Sequence, residues 1–421
     1  MSKLMLSFSA CVIAAVLVLG NPRPASAQQV VKLGEGETLT ISGFVSATLF
    51  NDRGLFSSFG QGQNAEIAAC RVLPTPGCTS AQPGVNQGIF DGDVRNTRIN
   101  FTFNAGPVLG KWAPRATIEA DFFGAFNGAA PVAPFGDEQP QFRIRHAFVD
   151  LSNGRTTLRI GQYWAPLFGE TAPFIPVSLA HIAFPVGLGA SMIGWRFPGV
   201  FLFHDLTPTS PLKLQLEVAA LKGTGPTTSG NARDSTNNIG NGEASGLPQV
   251  ETRLNAARKF GTASWNGFVA YHLDWKDING TGVPGSKITD WGVETGQYIT
   301  VSGFTVHGSF YYGKGLGSQF GMITQFQPQI RGWGAWAQAG YDFTSHWSVW
   351  ADYGIDQPDY ARFNRETTGT LGRQLTHVGS ALLRFRAGRY AAGLEYFRNV
   401  TRWSTGVTSA DQYALSVLYT L

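Results

Sequence analysis

The chain has 421 residues and carries 32 Lys and Arg against 28 Asp and Glu, a formal charge of +4, with charged residues at only 14%. That near-neutral balance excludes a strongly basic nucleic-acid binder. Aromatics at 13% and 52 Gly, beside a mean hydropathy of -0.05, exclude a bundle of transmembrane helices and leave a large soluble β protein or a β-barrel in a membrane.

The first element in chain order is an apolar run from Leu4 to Gly20. It is preceded by Lys3 and followed by Asn21-Pro22-Arg23-Pro24 and Ala25-Ser26-Ala27. A basic start, a short apolar core and a small-residue cleavage site predict a secretory signal peptide over residues 1–27, cut before Gln28. Its removal takes away Lys3 and Arg23 and no acid, so residues 28–421 carry 30 basic groups against 28 acidic ones, or +2. No later stretch reaches the ~18 apolar residues that a spanning helix requires. An exported chain of this kind either stays soluble or inserts as strands. Cys70 and Cys78 bracket a turn-rich segment with no His nearby, which in an oxidising compartment predicts a disulfide rather than a metal site.

From Leu39 onward the hydrophobic pattern has a period of two, the mark of strands with different solvents on their two faces. Leu39, Ile41, Gly43, Val45, Ala47 and Leu49 alternate with Thr40, Ser42, Ser46 and Thr48. Trp265, Gly267, Val269, Tyr271, Leu273 and Trp275 do so farther on, as do Trp347, Val349, Ala351, Tyr353 and Ile355. Sixteen strands are predicted, at 38–50, 95–103, 114–123, 141–151, 155–164, 189–203, 211–221, 248–260, 264–276, 287–300, 303–314, 328–341, 346–356, 372–386, 389–398 and 410–421. Connections after even-numbered strands are mostly short, such as Ser152-Asn153-Gly154 and Ala387-Gly388. Those after odd-numbered strands are mostly long: 51–94, 124–140, 165–188, 222–247 and 357–371.

That asymmetry has no purpose in a soluble sandwich, whereas outer-membrane barrels combine short periplasmic turns with long external loops. Trp265 and Trp275 give a dimension check. Ten residues at ~3.4 Å rise and ~45° tilt project to about 24 Å, close to the ~25 Å band between aromatic girdles. The predicted fold is therefore all-β, a 16-stranded antiparallel transmembrane β-barrel occupying residues 28–421. The last strand alternates Tyr413, Leu415, Val417, Tyr419 and Leu421. It resembles the C-terminal assembly signature of outer-membrane barrels, except that Leu421 stands where those usually end in an aromatic.

The segment Arg143-Ile-Arg-His-Ala-Phe-Val-Asp-Leu151, a tight turn, and Leu158-Arg-Ile-Gly-Gln-Tyr-Trp164 resemble neighbouring strands of DcaP-like trimeric porins. The whole of residues 28–421 resembles the Gram-negative porin superfamily. This resemblance implies a homotrimer in outer-membrane lipid, each subunit enclosing a water-filled channel for small hydrophilic solutes, narrowed by the third external loop, here 165–188.

Strand phase places Arg98, Arg115, Glu119, Asp121, Arg143, Arg145 and Arg159 on the inward face, and the 165–188 loop offers Glu170 and His181. A basic ladder opposite a loop with little acid predicts a transverse field and a mild preference for anions. Alternatively, the same arginines pair with Glu119 and Asp121 and only brace the wall. His146 falls in the outward phase with Ile144 and Phe148, where a subunit contact could satisfy it, unless a local bulge turns it inward.

No catalytic residue, metal ligand or cofactor site emerges, and the chain reads as a non-enzyme. Gly280 to Gly285 matches G-x-G-x-x-G, but it runs into Pro284 and another strand, with no helix to receive a phosphate. The His residues are scattered, and neither H-E-x-x-H nor G-x-S-x-G occurs. The alternatives to a channel are a plugged structural or adhesin barrel, for which the 51–94 loop would be the contact surface, and an outer-membrane hydrolase with a Ser/His/Asx cluster formed only in space.

Overall fold

The computed structural model describes residues 29–54, 56–57, 67–68, 87–124, 140–169, 171–182, 194–223, 225, 239–277, 287–316, 330–359, 373–403 and 406–421. The predicted signal peptide, Cys70 and Cys78, Glu170 and the 280–285 glycine motif lie outside them.

The strands, in chain order, are β1 (Gln29–Gly34), β2 (Glu37–Arg53), β3 (Phe56–Ser57), β4 (Ile67–Ala68), β5 (Ile89–Asp93), β6 (Arg98–Asn104), β7 (Ala113–Asp121), β8 (Arg143–Ser152), β9 (Thr156–Trp164) and β10 (Arg196–Asp205). They continue as β11 (Lys213–Leu221), β12 (Gln249–Phe260), β13 (Ala263–Asp277), β14 (Lys287–Val301), β15 (Phe304–Lys314), β16 (Arg331–Asp342), β17 (Trp347–Pro358), β18 (Arg373–Ala387), β19 (Tyr390–Trp403) and β20 (Gly406–Thr420). A single helical turn, α1 (Asn241–Ala244), lies in the connection before β12.

Each strand pairs antiparallel with the next from β6 to β20, and β2 closes the ring by pairing with β20 from Phe44↔Thr420 to Arg53↔Asp411. β5 and β6 share one stave beside β2, broken at residues 94–97 where Thr97 N–H donates to Val94 C=O. The result is a closed 16-strand antiparallel barrel, as the alternation predicts. β1 is an addition that the pattern does not announce. It pairs with the start of β2 (Gln29↔Ile41, Val31↔Leu39) and so continues the column of β20 past that strand's end.

Alternation decides which face each side chain takes. In β17, Ser348, Trp350, Asp352, Gly354 and Asp356 point inward and are buried, while Val349, Ala351 and Tyr353 are exposed outside. Gly388, at φ 59°, supplies the left-handed residue that the tight β18–β19 turn needs. Gly161 serves a different purpose. At φ 138°, a Cβ there would stand 2.2 Å from the carbonyl oxygen of Ala147, so only Gly lets β9 lie this close to β8.

The predictions differ from the structure in strand bounds, in one connection and in facing. The strand predicted at 95–103 begins at Arg98, because residues 94–97 turn, and β5 lies in the predicted 51–94 connection; β10 begins at Arg196, with residues 189–193 of its predicted span outside the described residues. On the end that carries the long connections, β19 and β20 meet in a short hairpin, Trp403↔Gly406. The third difference concerns facing. A β-bulge between Glu119 and Ala120 pairs Glu119 with His146 and Ala120 with Ile144, which leaves Arg145 as the extra residue. From His146 onward the phase of β8 is therefore reversed. His146, Phe148 and Asp150 are buried on the inner side, while Val149 is exposed outside.

Candidate functional site

Along β6 to β9 the inner wall carries two neighbouring clusters in which five guanidinium groups share three carboxylates, a surplus of two positive charges. Asp150 takes both nitrogens of Arg159, with Nε to Oδ1 at 2.7 Å and Nη2 to Oδ2 at 2.9 Å, and also Nε of Arg115 at 3.0 Å. Asp121 accepts from Arg143 Nε at 2.8 Å and from Arg145 Nη1 at 2.9 Å. Glu119 accepts from Arg145 Nε at 2.9 Å and has Arg98 Nε at 3.7 Å. The Arg159 guanidinium also lies over the rings of Phe148 and Tyr163, at 3.7 Å and 3.9 Å from their centroids. Such planar, bidentate and stacked contacts are the ones arginine makes and lysine does not.

Strand alternation puts Arg98, Arg115, Glu119, Asp121, Arg143, Arg145 and Arg159 on this wall, Arg115 and Arg159 on Asp150 and the other three arginines on Glu119 and Asp121. Asp150, the carboxylate shared by Arg115 and Arg159, is absent from the sequence-based set. The signal was present, because Ile144, Val149 and Leu151 cannot all be outward on one unbroken period of two, so a bulge had to lie between them. Arg145 is fully buried, whereas the Arg115 side chain is 44% exposed and offers the most open positive charge of the group.

The chain leaves β9 at Trp164 and enters the barrel, where residues 165–169 and 171–182 cross the lumen and are held by inward side chains of distant strands. Glu251 of β12 accepts the Leu167 N–H and Glu294 of β14 accepts the Phe168 N–H, both at 2.8 Å. Gln338 of β16 accepts the Val177 N–H at 2.7 Å and donates to the Val177 carbonyl at 3.0 Å. Glu395 of β19 accepts from the Ser178 hydroxyl at 2.7 Å and from the N–H groups of Leu179 and Ala180, both at 3.2 Å. Asn96, in the break between β5 and β6, donates to the Ala180 carbonyl at 2.8 Å. Apolar packing reinforces these bonds: Phe168 meets Tyr311 and Phe174 meets Phe268, both edge to face.

His181 lies one residue before the end of the described part of this segment, buried, with its ring stacked on Phe397 at 5.3 Å and its Nε2 2.5 Å from Gln412 Oε1. Removal from water holds its pKa down to about 4, so the ring is neutral at pH 7, with Nε2–H donating to the amide oxygen.

The loop therefore lies against the wall of β12 to β20, and its backbone N–H groups occupy Glu251, Glu294 and Glu395 of that wall. The opposite wall, β6 to β11, stays open to a cavity of about 900 Å³ on the short-turn side of the loop. Asn100, Thr117, His146, Tyr163 and Gln215 line it together with Asp205, Glu217 and Lys213, so the space presents rings, neutral polar groups and a few charges of both signs beneath the arginines.

No family model and no curated sequence matches the chain. Among solved structures, it is similar to the outer membrane channel DcaP of Acinetobacter baumannii, with a TM-score of 0.67 and 19% identity over 93% of this chain and 99% of that one. It is also similar to an anion-selective porin from Comamonas acidovorans, with a TM-score of 0.55 and 10% identity over 91% of this chain and 100% of that one. A trimer form of OmpT, an outer membrane protein of Vibrio cholerae, has a TM-score of 0.51 and 10% identity over 92% of this chain and 100% of that one. These likenesses establish the fold, that of the outer-membrane porins.

Proposed function

We propose that this barrel is an outer-membrane porin that passes small hydrophilic solutes by diffusion, with a mild preference for anions. One observation carries the preference. Along β6 to β9 the wall open to the lumen holds two more guanidinium groups than carboxylates, while Glu251, Glu294 and Glu395 on the far wall are covered by the loop. A solute squeezed between loop and wall meets positive charge on one side and backbone on the other, and a low-dielectric rim strengthens that field. Sixteen tilted strands enclose a lumen too wide for their own side chains to fill, which supports a hydrated path rather than a packed core.

The exposed apolar band outside the barrel suits outer-membrane lipid, residues 1–27 suit an export signal, and Cys70 with Cys78 suits a disulfide tying the first long loop. The trimeric OmpT form supports a homotrimer as the assembly. Nothing in the surplus of arginines calls for nucleic acid, a cofactor or a catalytic step.

Replacing Arg143 and Arg145 together by Ala cancels the surplus of two. In planar bilayers under a KCl gradient, the reversal potential of the double variant is expected to move toward the cation-selective side. An unchanged reversal potential would sink the anion preference, and a wild-type barrel with no conductance would sink the channel.

A further inference from the structure

The outer surface from β15 across β20 to β2 and β5 bears an apolar trough of about 880 Å³ that the channel does not use. Its floor is a row of alanines in direct register, Ala339↔Ala351↔Ala381, all exposed. The row on the short-turn side is large: Tyr341, Val349, Leu383 and Leu394 stand in register as one wall. Toward the long loops the trough runs into a second hollow of about 380 Å³, which shares Ala381 and Tyr396 with it and is bounded by Tyr353, His377 and Arg398.

That second hollow is polar. The Tyr353 hydroxyl bonds His377 Nδ1, Arg398 Nη1 donates to Asp411 Oδ1 at 2.8 Å, and the Tyr396 hydroxyl donates to the same oxygen at 2.6 Å. Arg53 pairs in register with Asp411, and Arg402 lies four residues farther along β19 than Arg398; both arginines are exposed. Depth places the cluster. On β19, Arg398 and Arg402 lie eight and twelve residues beyond Tyr390, about 19 Å and about 29 Å along the barrel axis at ~3.4 Å rise and ~45° tilt. A ~25 Å apolar band starting at the Tyr390–Tyr419 pair ends between them.

We infer that this face holds a phosphorylated glycolipid of the outer leaflet, with an acyl chain in the alanine trough and a phosphate at Arg398, Arg402 and His377. The inference rests on the outer-membrane reading of the barrel, and it concerns the opposite surface of the wall from the channel. Charge complementarity selects the occupant. Arg53, Arg398 and Arg402 face Asp411 alone, and among the described residues Asp411 is the one carboxylate not buried on the outward face of the strands' outer halves. Among the described strand residues a second copy of the chain brings only Asp411 to that face, already bonded to Arg398, whereas a lipid phosphate meets the excess. Lipid-facing arginines are tolerated near the headgroups and costly deeper in the band, which matches the height of Arg398 and Arg402 along β19.

The test is native mass spectrometry of the detergent-solubilised full-length protein titrated with bis-phosphorylated lipid A, with phosphatidylethanolamine as comparator. Wild type is expected to hold one lipid A per barrel and to bind the dephosphorylated form at least tenfold more weakly. Arg398→Gln with Arg402→Gln should lower lipid A binding at least tenfold. Ala381→Trp, which fills the trough without touching the charges, should lower it comparably. Equal binding by wild type and both variants would overturn the site, as would a disulfide between copies through Ala381→Cys, which would assign the face to a subunit contact. All three side chains point away from the lumen, so conductance is expected to stay at the wild-type value. A wild-type barrel that lacks conductance yet binds lipid A would count against the porin alone.

Discussion

Arg159 shows how one side chain can fix the geometry of a wall. It bonds Asp150 with two nitrogens and lies against the rings of both Phe148 and Tyr163, which meet each other edge to face. Arg159→Ala leaves Asp150 with Arg115 as its partner, so the buried carboxylate is not abandoned. The expected loss is about 2 kcal/mol, below the 3–5 kcal/mol that follows a fully broken buried pair. Arg159→Lys should recover less than half of this, because an ammonium cannot both fork onto the carboxylate and stack on two rings. Urea unfolding of the barrel in lipid vesicles, followed by Trp fluorescence, checks both values, and a Lys variant as stable as wild type would show that charge alone matters. Seven residues of the two clusters were legible in the sequence, because a period of two assigns faces without knowledge of the partner. Asp150 and His146 were not, since a single extra residue at Arg145 reverses every later face of β8, and the local cue is only a clash between Ile144 and Val149 in phase.

The inward loop is the element on which the lumen's shape depends, and its docking should respond to acid. His181 has a pKa of about 4 in the folded loop, against an ordinary value of ~6.5. The undocked loop therefore binds more protons between those values. Docking is at full strength above pH ~6.5 and weakens as pH falls toward 4, by about 3 kcal/mol once His181 must give up its place against Phe397 and Gln412 to become charged. Single-channel recordings are expected to be quiet at pH 7 and to show growing conductance fluctuations by pH 4.5. His181→Phe keeps the ring stacking and cannot titrate, so it should damp the acid-induced fluctuations; if it does not, other groups govern the loop. The start of this loop could be read from the Pro-rich break after Trp164. Its anchors could not, because Ser178 meets Glu395 across 217 positions of sequence, and nothing local in either segment announces the other.

At the scale of the whole molecule, selectivity is a field effect and should yield to salt. Raising KCl from 0.1 to 1 M shortens the screening length from about 10 Å to about 3 Å, less than the reach from wall to mid-lumen. The anion-to-cation permeability ratio is expected to fall toward one over that range; a ratio independent of salt would point to direct binding sites instead. The barrel itself was legible because its two faces meet different surroundings and its connections alternate in length. β1 was not, since its only partner is the first half of β2 and its residues are exposed on every side. The seam has a further consequence, in time rather than in space. β2 meets β20 through contacts such as the Thr48 hydroxyl against that of Ser416, 368 positions apart, and the Leu421 N–H donates to the Gly43 carbonyl. The ring cannot close before β20 is available to β2, so until then a partly formed barrel carries two unpaired strand edges able to join any other strand. Closure is therefore a late, non-local step, and those edges need shielding until β20 takes up the place that β2 holds open.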